Sequence, residues 1–284
     1  MRRIAWLRGA GLAKITLSLR VVGTRPDGYH DIEALTVSSN APADFVYLNR
    51  RRRSGISIAV VPPGAAPSGP DNLVARAVES LWPDLSLRGG VRVRVHKEIP
   101  VGAGLGGGSS NAAAALRLLG HVGHVPEPRL LELAAQLGSD VPFCLRGSPA
   151  WMRGRGELLE PISSLPPLML VIAVPPFACS TPAVYRAWDE LGGPRSAREV
   201  PAPESFAHLV PAFVNDLEPA AEQVEPQLQA FRERFEAAVE CPPLLCGSGS
   251  AYAAWFDDPE AWRAGLDAAR RTLPSASVFG GSTI

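Results

Sequence analysis

Apolar and basic residues alternate with period two over Val91-Arg92-Val93-Arg94-Val95, as they should in a strand with one solvated face. Leu17 to Gly23 also reads as a strand, and Arg25-Pro26-Asp27-Gly28 as a turn returning into a second one, because proline presets φ and glycine accepts positive φ. Ile56 to Val61 is a further β segment, and the Pro-, Gly- and Ala-rich stretch from Pro62 to Pro70 is a surface loop. The alanine- and leucine-rich stretch Ser110 to Leu119 predicts a helix with Ser109 or Ser110 as N-cap and Gly120 as its stop. A second helix is predicted over Pro128 to Leu137, closed by Gly138, with Asp140 on a short loop before Pro142. The uninterrupted apolar run Leu168 to Val174 suits a buried strand. Thr181-Pro182 predicts the cap and first turn of a helix through Leu191, and Asn215 to Val239 has helical periodicity interrupted by Pro219 and Pro226. Gly247 to Ser250 leads into a strand over Ala251 to Phe256, and no internal repeat is visible.

A chain of 284 residues with 46% hydrophobic residues suits two lobes, and the start of the Leu168 strand suggests a division into 1–160 and 161–284. The 28 basic and 28 acidic side chains cancel, which argues against nucleic acid or an anionic membrane as a partner. Met1 to Ala10 lacks the apolar run of a signal peptide, and no stretch approaches the ~20 apolar residues of a membrane span, so the expected location is cytoplasmic. Cys144, Cys179, Cys241 and Cys246 form no C-x-x-C pair and read as small buried hydrophobes. Lysine occurs only at Lys14 and Lys97 among the 28 basic residues, and Arg50 to Arg53 reads as a solvated loop rather than a phosphate clamp.

The strongest chemical signal is Pro100-Val101-Gly102-Ala103-Gly104-Leu105-Gly106-Gly107-Gly108-Ser109-Ser110-Asn111, a glycine-rich loop between a strand and a helix. Such a loop lets backbone N–H groups converge on a phosphate at the positive end of the helix. The spacing G-x-G-x-x-G is present, but the Gly123 to Pro128 segment lies where a dinucleotide fold needs an acidic residue at a strand end. The Gly-Lys-[Ser/Thr] ending of a P-loop and the motifs of a protein kinase are missing too.

This loop resembles the ATP-phosphate motif of the galactokinase, homoserine kinase, mevalonate kinase and phosphomevalonate kinase (GHMP) superfamily. Ala13-Lys14-Ile15-Thr16-Leu17, Arg25-Pro26-Asp27-Gly28-Tyr29-His30, Leu137-Gly138-Ser139-Asp140-Val141-Pro142-Phe143 and Gly247-Ser248-Gly249-Ser250 are similar to segments of its 4-diphosphocytidyl-2-C-methyl-D-erythritol kinases, in the same order. The resemblance implies an α+β, two-lobe fold with the active site in the cleft between lobes. It implies a small-molecule kinase, monomer or homodimer, using ATP and Mg2+. Lys14 and Asp140 would be catalytic. Pro100, Gly102, Gly104, Leu105, Gly106, Gly107, Gly108, Ser109, Ser110 and Asn111 would hold the nucleotide, with Asp71-Asn72-Leu73 near the adenine. Thr16, Tyr29, His30, Tyr185, Gly247, Ser248 and Gly249 would face the acceptor, the tyrosines stacking on cytosine and the histidine bonding its edge. On their own residues, Asp140 reads first as a helix-cap or turn residue, Tyr29 as a strand-edge aromatic and His30 as a solvent-exposed imidazole. Thr16 stands where the family usually has asparagine, and Leu12 where it has proline. A related kinase with another hydroxyl acceptor, or a non-catalytic nucleotide-binding homologue, remains open at this level.

Overall fold

In the computed structural model the alternation at Val91-Arg92-Val93-Arg94-Val95 has its expected effect: the three valines are buried and the two arginines are exposed. The structure describes residues 6–85, 89–162, 165–193 and 213–284, so the first five residues of the arginine-bearing N-terminus lie outside it. The chain divides into two compact units.

The first unit comprises Met1–Ala13, Ala43–Val101 and Gly106–Gly147. It takes the start of β1 (Leu7–Thr24) and the end of β2 (His30–Arg51), followed by β3 (Gly55–Val61), α1 (Leu73–Leu81) and β4 (Gly90–His96). α2 (Gly107–Gly123), α3 (Glu127–Leu137) and α4 (Val141–Arg146) complete it. β4 pairs antiparallel with β2, setting Val46 against Val95 and Leu48 against Val93, and pairs parallel with β3 on its other side. Helix α1 is amphipathic, with Val74, Ala77, Val78 and Leu81 buried at helical spacing, and Asn72 caps it by accepting from the N–H of Val74 at 2.9 Å. The run Ala112 to Leu116 makes α2 apolar all round over its middle turns, and all five residues are 0% exposed.

α2 is longer than the sequence pattern suggests. Its N-cap is Gly106 in the left-handed region rather than a serine, and Gly120 lies inside it instead of ending it. A Cβ at Gly120 would meet Leu130 Cδ1 at 2.7 Å, so the glycine serves the packing of α2 against α3. The helix ends at His124, whose own φ of 53° makes the reversal.

The second unit comprises Lys14–Pro42, Gly102–Leu105 and Ser148–Ile284. The early part of β2 pairs antiparallel with β5 (Ala150–Gly154), which pairs with β6 (Leu158–Pro161). A separate four-stranded sheet is built from β7 (Met169–Val174), β8 (Leu244–Leu245), β9 (Tyr252–Phe256) and β10 (Ser277–Ser282), in the order β10-β7-β9-β8. β7 is central, paired antiparallel on both sides, and Leu170 to Ala173 are 0% exposed, which is why its sequence is an unbroken apolar run.

The helices of this unit are α5 (Thr181–Glu190), α6 (Glu218–Val224), α7 (Gln227–Val239) and α8 (Pro259–Thr272). Ser180, not Thr181, occupies the N-cap of α5. Pro219 and Pro226 mark the starts of α6 and α7, where a missing N–H costs nothing, so the predicted single periodicity becomes two helices. Among the described residues no helix is long and apolar enough to cross a membrane. Cys144, Cys179 and Cys246 are buried, and none of the four cysteines is in a disulfide.

Candidate active site

In the second unit the first half of the glycine loop packs onto the second glycine motif. Gly104 has φ +77°, and a Cβ there would lie 2.0 Å from the carbonyl oxygen of Cys246 and 3.1 Å from that of Gly249. The N–H of Ala251 donates to the carbonyl of Ala103 at 3.1 Å, tying the two loops together. Gly102, at φ +73°, faces Ala178, where a Cβ would sit 3.0 Å from that methyl group. Lys14, on β1, joins the same assembly: its N–H donates to the carbonyl of Leu105 at 2.9 Å. Lys14 is 9% exposed and Thr16 is 2% exposed, so both stand in the interior. Burial pushes the Cys246 thiol up to about 12 and the nearby Lys14 ammonium pulls it down, so the thiol is held neutral and is no nucleophile.

The second motif is held from outside by Asn215, Thr181 and Phe177. Asn215 donates to the carbonyls of Leu245 and Gly247 at 2.8 and 2.7 Å, while its own oxygen accepts from the N–H of Leu217. The hydroxyls of Ser248 and Thr181 lie 2.7 Å apart, and Ser250 donates to the carbonyl of Phe177 at 2.6 Å. Gly247 and Gly249 both have positive φ, as a tight turn at these positions requires.

In the first unit the second half of the loop opens α2. Gly106 caps the helix with no side-chain hydrogen bond, and Gly108 is exposed at its first turn. A helix of 17 residues starting without a side-chain acceptor presents backbone N–H groups to an anion. Pro100 and Ser109 are half-buried beside this end. The Ser110 hydroxyl donates to the carbonyl of Gly107 at 3.0 Å, and Asn111, 3% exposed, donates to Asp44 at 2.8 Å.

Asp44 went unnoticed in the sequence because a lone aspartate in a β-rich stretch carries no motif. It is 0% exposed and also accepts from the N–H groups of Glu98 and Ile99, at 2.7 and 2.9 Å, and from the Lys97 ammonium. One carboxylate thus grips the entry to the glycine loop and the helix that leaves it. Gly11 was missed too: a Cβ there would be 2.6 Å from Asn111 Oδ1, so β1 passes the first turns of α2 at backbone distance.

Asp140 is the N-cap residue of α4, but its carboxylate makes no capping hydrogen bond. The cap reading therefore accounts for its backbone but not for its side chain. The other end of α4 is held by Arg117 on α2, whose half-buried guanidinium donates to the carbonyls of Cys144 and Leu145 and to that of Ala10 on β1. Asn72 donates to the carbonyl of Pro67 at 2.6 Å while capping α1, which orders the loop that precedes it.

The third cluster lies in the second unit around His30, the first residue of β2. The sequence left open a solvent-exposed imidazole, yet His30 is 8% exposed. Tyr185 stacks on it at a centroid distance of 4.8 Å, Trp188 meets it edge-on at 5.5 Å, and Nε2 lies 2.9 Å from Asp189 Oδ1. Tyr185, Trp188 and Asp189 share one face of α5 at i, i+3 and i+4. Tyr29, by contrast, is 54% exposed, with the Arg155 guanidinium 5.0 Å from its ring centroid. Its N–H donates to Asp27 at 3.1 Å, a bond that lowers the Asp27 pKa, and Gly28 takes φ +83°, as the turn motif requires. Arg50, Arg52 and Arg53 are exposed.

No group of three or more His, Cys, Asp or Glu side chains among the described residues could hold a metal ion.

Residues 72–148, from the cap of α1 to just beyond α4, match the GHMP kinases N terminal domain. Over 270 residues the chain is 41% identical to 4-diphosphocytidyl-2-C-methyl-D-erythritol kinase of Pelotomaculum thermopropionicum, covering 92% of each protein. A crystal structure of 4-(cytidine 5'-diphospho)-2C-methyl-D-erythritol kinase superposes with a TM-score of 0.82 at 35% identity, covering 98% of this chain and 99% of that one. Methanococcus jannaschii mevalonate kinase shares the fold alone, with a TM-score of 0.66 at 10% identity over 100% of this chain and 99% of its own. The α+β fold expected from the sequence is that of small-molecule kinases, and the chain belongs to the 4-diphosphocytidyl-2-C-methyl-D-erythritol kinase family of the GHMP superfamily.

Proposed function

We propose that the protein transfers the γ-phosphate of ATP to the 2-hydroxyl of 4-diphosphocytidyl-2-C-methyl-D-erythritol, a step of non-mevalonate isoprenoid precursor synthesis carried out in the cytoplasm. The observation that carries this reading is the 41% identity sustained over 92% of both chains. The uncapped start of α2 supports the nucleotide half of it. In the reaction the acceptor oxygen forms a bond to the γ-phosphorus as the bond from that phosphorus to the β-bridging oxygen breaks, and ADP leaves. Backbone N–H groups from Gly102 to Asn111 would hold the phosphates, and Asp140 would orient the hydroxyl and take its proton. Lys14 would neutralise charge on the transferring group.

An aspartate is a weak base toward an alcohol, so positioning carries more of the rate than basicity. Magnesium, brought on the nucleotide, would supply further charge neutralisation. Tyr29, His30 and Tyr185 would hold the cytosine, with Thr16 and Gly247 to Gly249 on the acceptor side.

The test is magnesium-dependent ADP release with 4-diphosphocytidyl-2-C-methyl-D-erythritol, mevalonate, homoserine and galactose offered separately. Turnover is expected with the cytidine compound alone. Asp140→Asn should lower kcat by roughly 10²–10⁴, the usual worth of a positioned acid or base, with little change in KM. Turnover of another acceptor in preference, or a fully active Asp140→Asn enzyme, would refute the assignment.

A further inference from the structure

The cluster around His30 contains a residue whose chemistry reaches past shape. An ionised carboxylate can only accept, so the 2.9 Å contact between Asp189 Oδ1 and His30 Nε2 places a proton on Nε2. In a neutral imidazole the other ring nitrogen, Nδ1, is then an acceptor. No described residue donates to Nδ1, while the ring itself is fixed by Tyr185 on one face and Trp188 at its edge. His30 therefore presents one oriented lone pair from a buried ring packed against two aromatic neighbours.

We infer that Asp189 is a positioning residue that fixes the tautomer of His30, so that Nδ1 accepts a hydrogen bond from the amino group of cytosine and the site rejects uracil. The inference rests on the reading that His30 faces the base of the substrate. On the pairing edge of cytosine only the exocyclic amino group donates, so an acceptor on the protein has one partner there. Uracil seated the same way brings a carbonyl oxygen against the Nδ1 lone pair. Stacking cannot make this distinction, because both pyrimidines offer a similar face. A buried polar group left facing the wrong partner is what gives such sites their discrimination.

The experiment compares kcat/KM for the cytidine substrate and its uridine analogue in the wild type and in Asp189→Asn. The Asp189 side chain is 45% exposed and the replacement is isosteric, so the variant should fold. An amide can present either an oxygen or an N–H to Nε2, which releases the tautomer. The cytidine-to-uridine ratio is expected to fall at least tenfold, through KM rather than kcat. ¹⁵N NMR of histidine-labelled protein should show a pyridine-like Nδ1 for His30 in the wild type and a mixed signal in the variant. A merely structural role for Asp189 would move neither reading.

A pyrrole-like Nδ1 in the wild type, or an unchanged ratio in the variant, would overturn the inference. If the wild type fails to phosphorylate the cytidine compound, the parent assignment fails. Calorimetric titration with CDP and UDP then reads the base site by itself. A preference for CDP that drops tenfold in Asp189→Asn still supports the role of Asp189, whereas equal binding of CDP and UDP by the wild type ends it.

Discussion

Replacing Asp44 by alanine isolates the anchor beneath the glycine loop. The carboxylate is 0% exposed, and the Lys97 side chain that it pairs with is 5% exposed. Its removal strands a buried ammonium and leaves three N–H donors, from Glu98, Ile99 and Asn111, without their acceptor. Losing one partner of a buried ion pair costs roughly 3–5 kcal/mol. The stranded donors add to that, but water entering the vacated space would recover part, so the sum is less than the separate penalties. We expect urea unfolding to show a loss of at least about 3 kcal/mol with little change in slope, a large share of the roughly 5–15 kcal/mol that holds a domain folded. The diagnostic arm is Lys97→Met in the Asp44→Ala background, which removes the stranded charge and should recover about 0.5–3 kcal/mol, the range of coupling between residues in contact. Because the anchor grips both ends of the loop, Asp44→Ala should also raise KM for ATP. A loss below about 1 kcal/mol, or a double variant as unstable as the sum of its parts, would refute the argument that the pair is coupled and buried.

Two other perturbations read different terms. Burial pushes the Glu218 carboxyl up from 4.5 to about 7, with Tyr252 and Arg232 opposing; an acid raised in the folded state loses stability as pH climbs through that window. Glu218→Gln should therefore match the wild type near pH 4 and be more stable by about 3 kcal/mol at pH 8 in thermal or urea unfolding, and a pH-independent difference would contradict it. Gly104→Ala must fit a methyl 2.0 Å from the Cys246 oxygen at a positive φ, so turnover should fall at least about a hundredfold in a folded protein. Gly28→Ala, at φ +83° with nothing within 4 Å, should cost only about 1–2 kcal/mol in stability, measured by the same unfolding assay.

What was legible in the sequence was whatever depends on neighbours along the chain. The alternation in β4, the apolar run of β7, the turn at Gly28 and the glycine loop all have local causes, and each is where the pattern put it. The ends of α2 were misread because glycine has two uses. Gly106 and Gly120 look alike in sequence, but one reverses the chain at a helix start and the other admits Leu130 from α3. The anchors were illegible for a related reason: Asp44 acts on residues 53 to 67 positions away, and Asp189 lies 159 positions from His30. No periodicity encodes a partner that far off.

Cation choice in the interior shows how far a compositional clue can be taken once geometry is known. Lysine is reduced to two positions in this chain, and both are buried. At Lys97 the reason is space, since the ammonium sits where a Cβ on Gly107 would be 2.9 Å away. A planar guanidinium is wider and carries its donors in a fixed fork, which that gap would not accept. Arg117 shows the converse, because its fork spans carbonyls on α4 and on β1, which a single ammonium point would reach less completely. The scarcity of lysine drew attention to Lys14, but the same clue applied with equal force to Lys97. The two residues become distinguishable only when the backbone shows that one stands beside the carbonyl of Leu105 and the other beneath the first turn of α2.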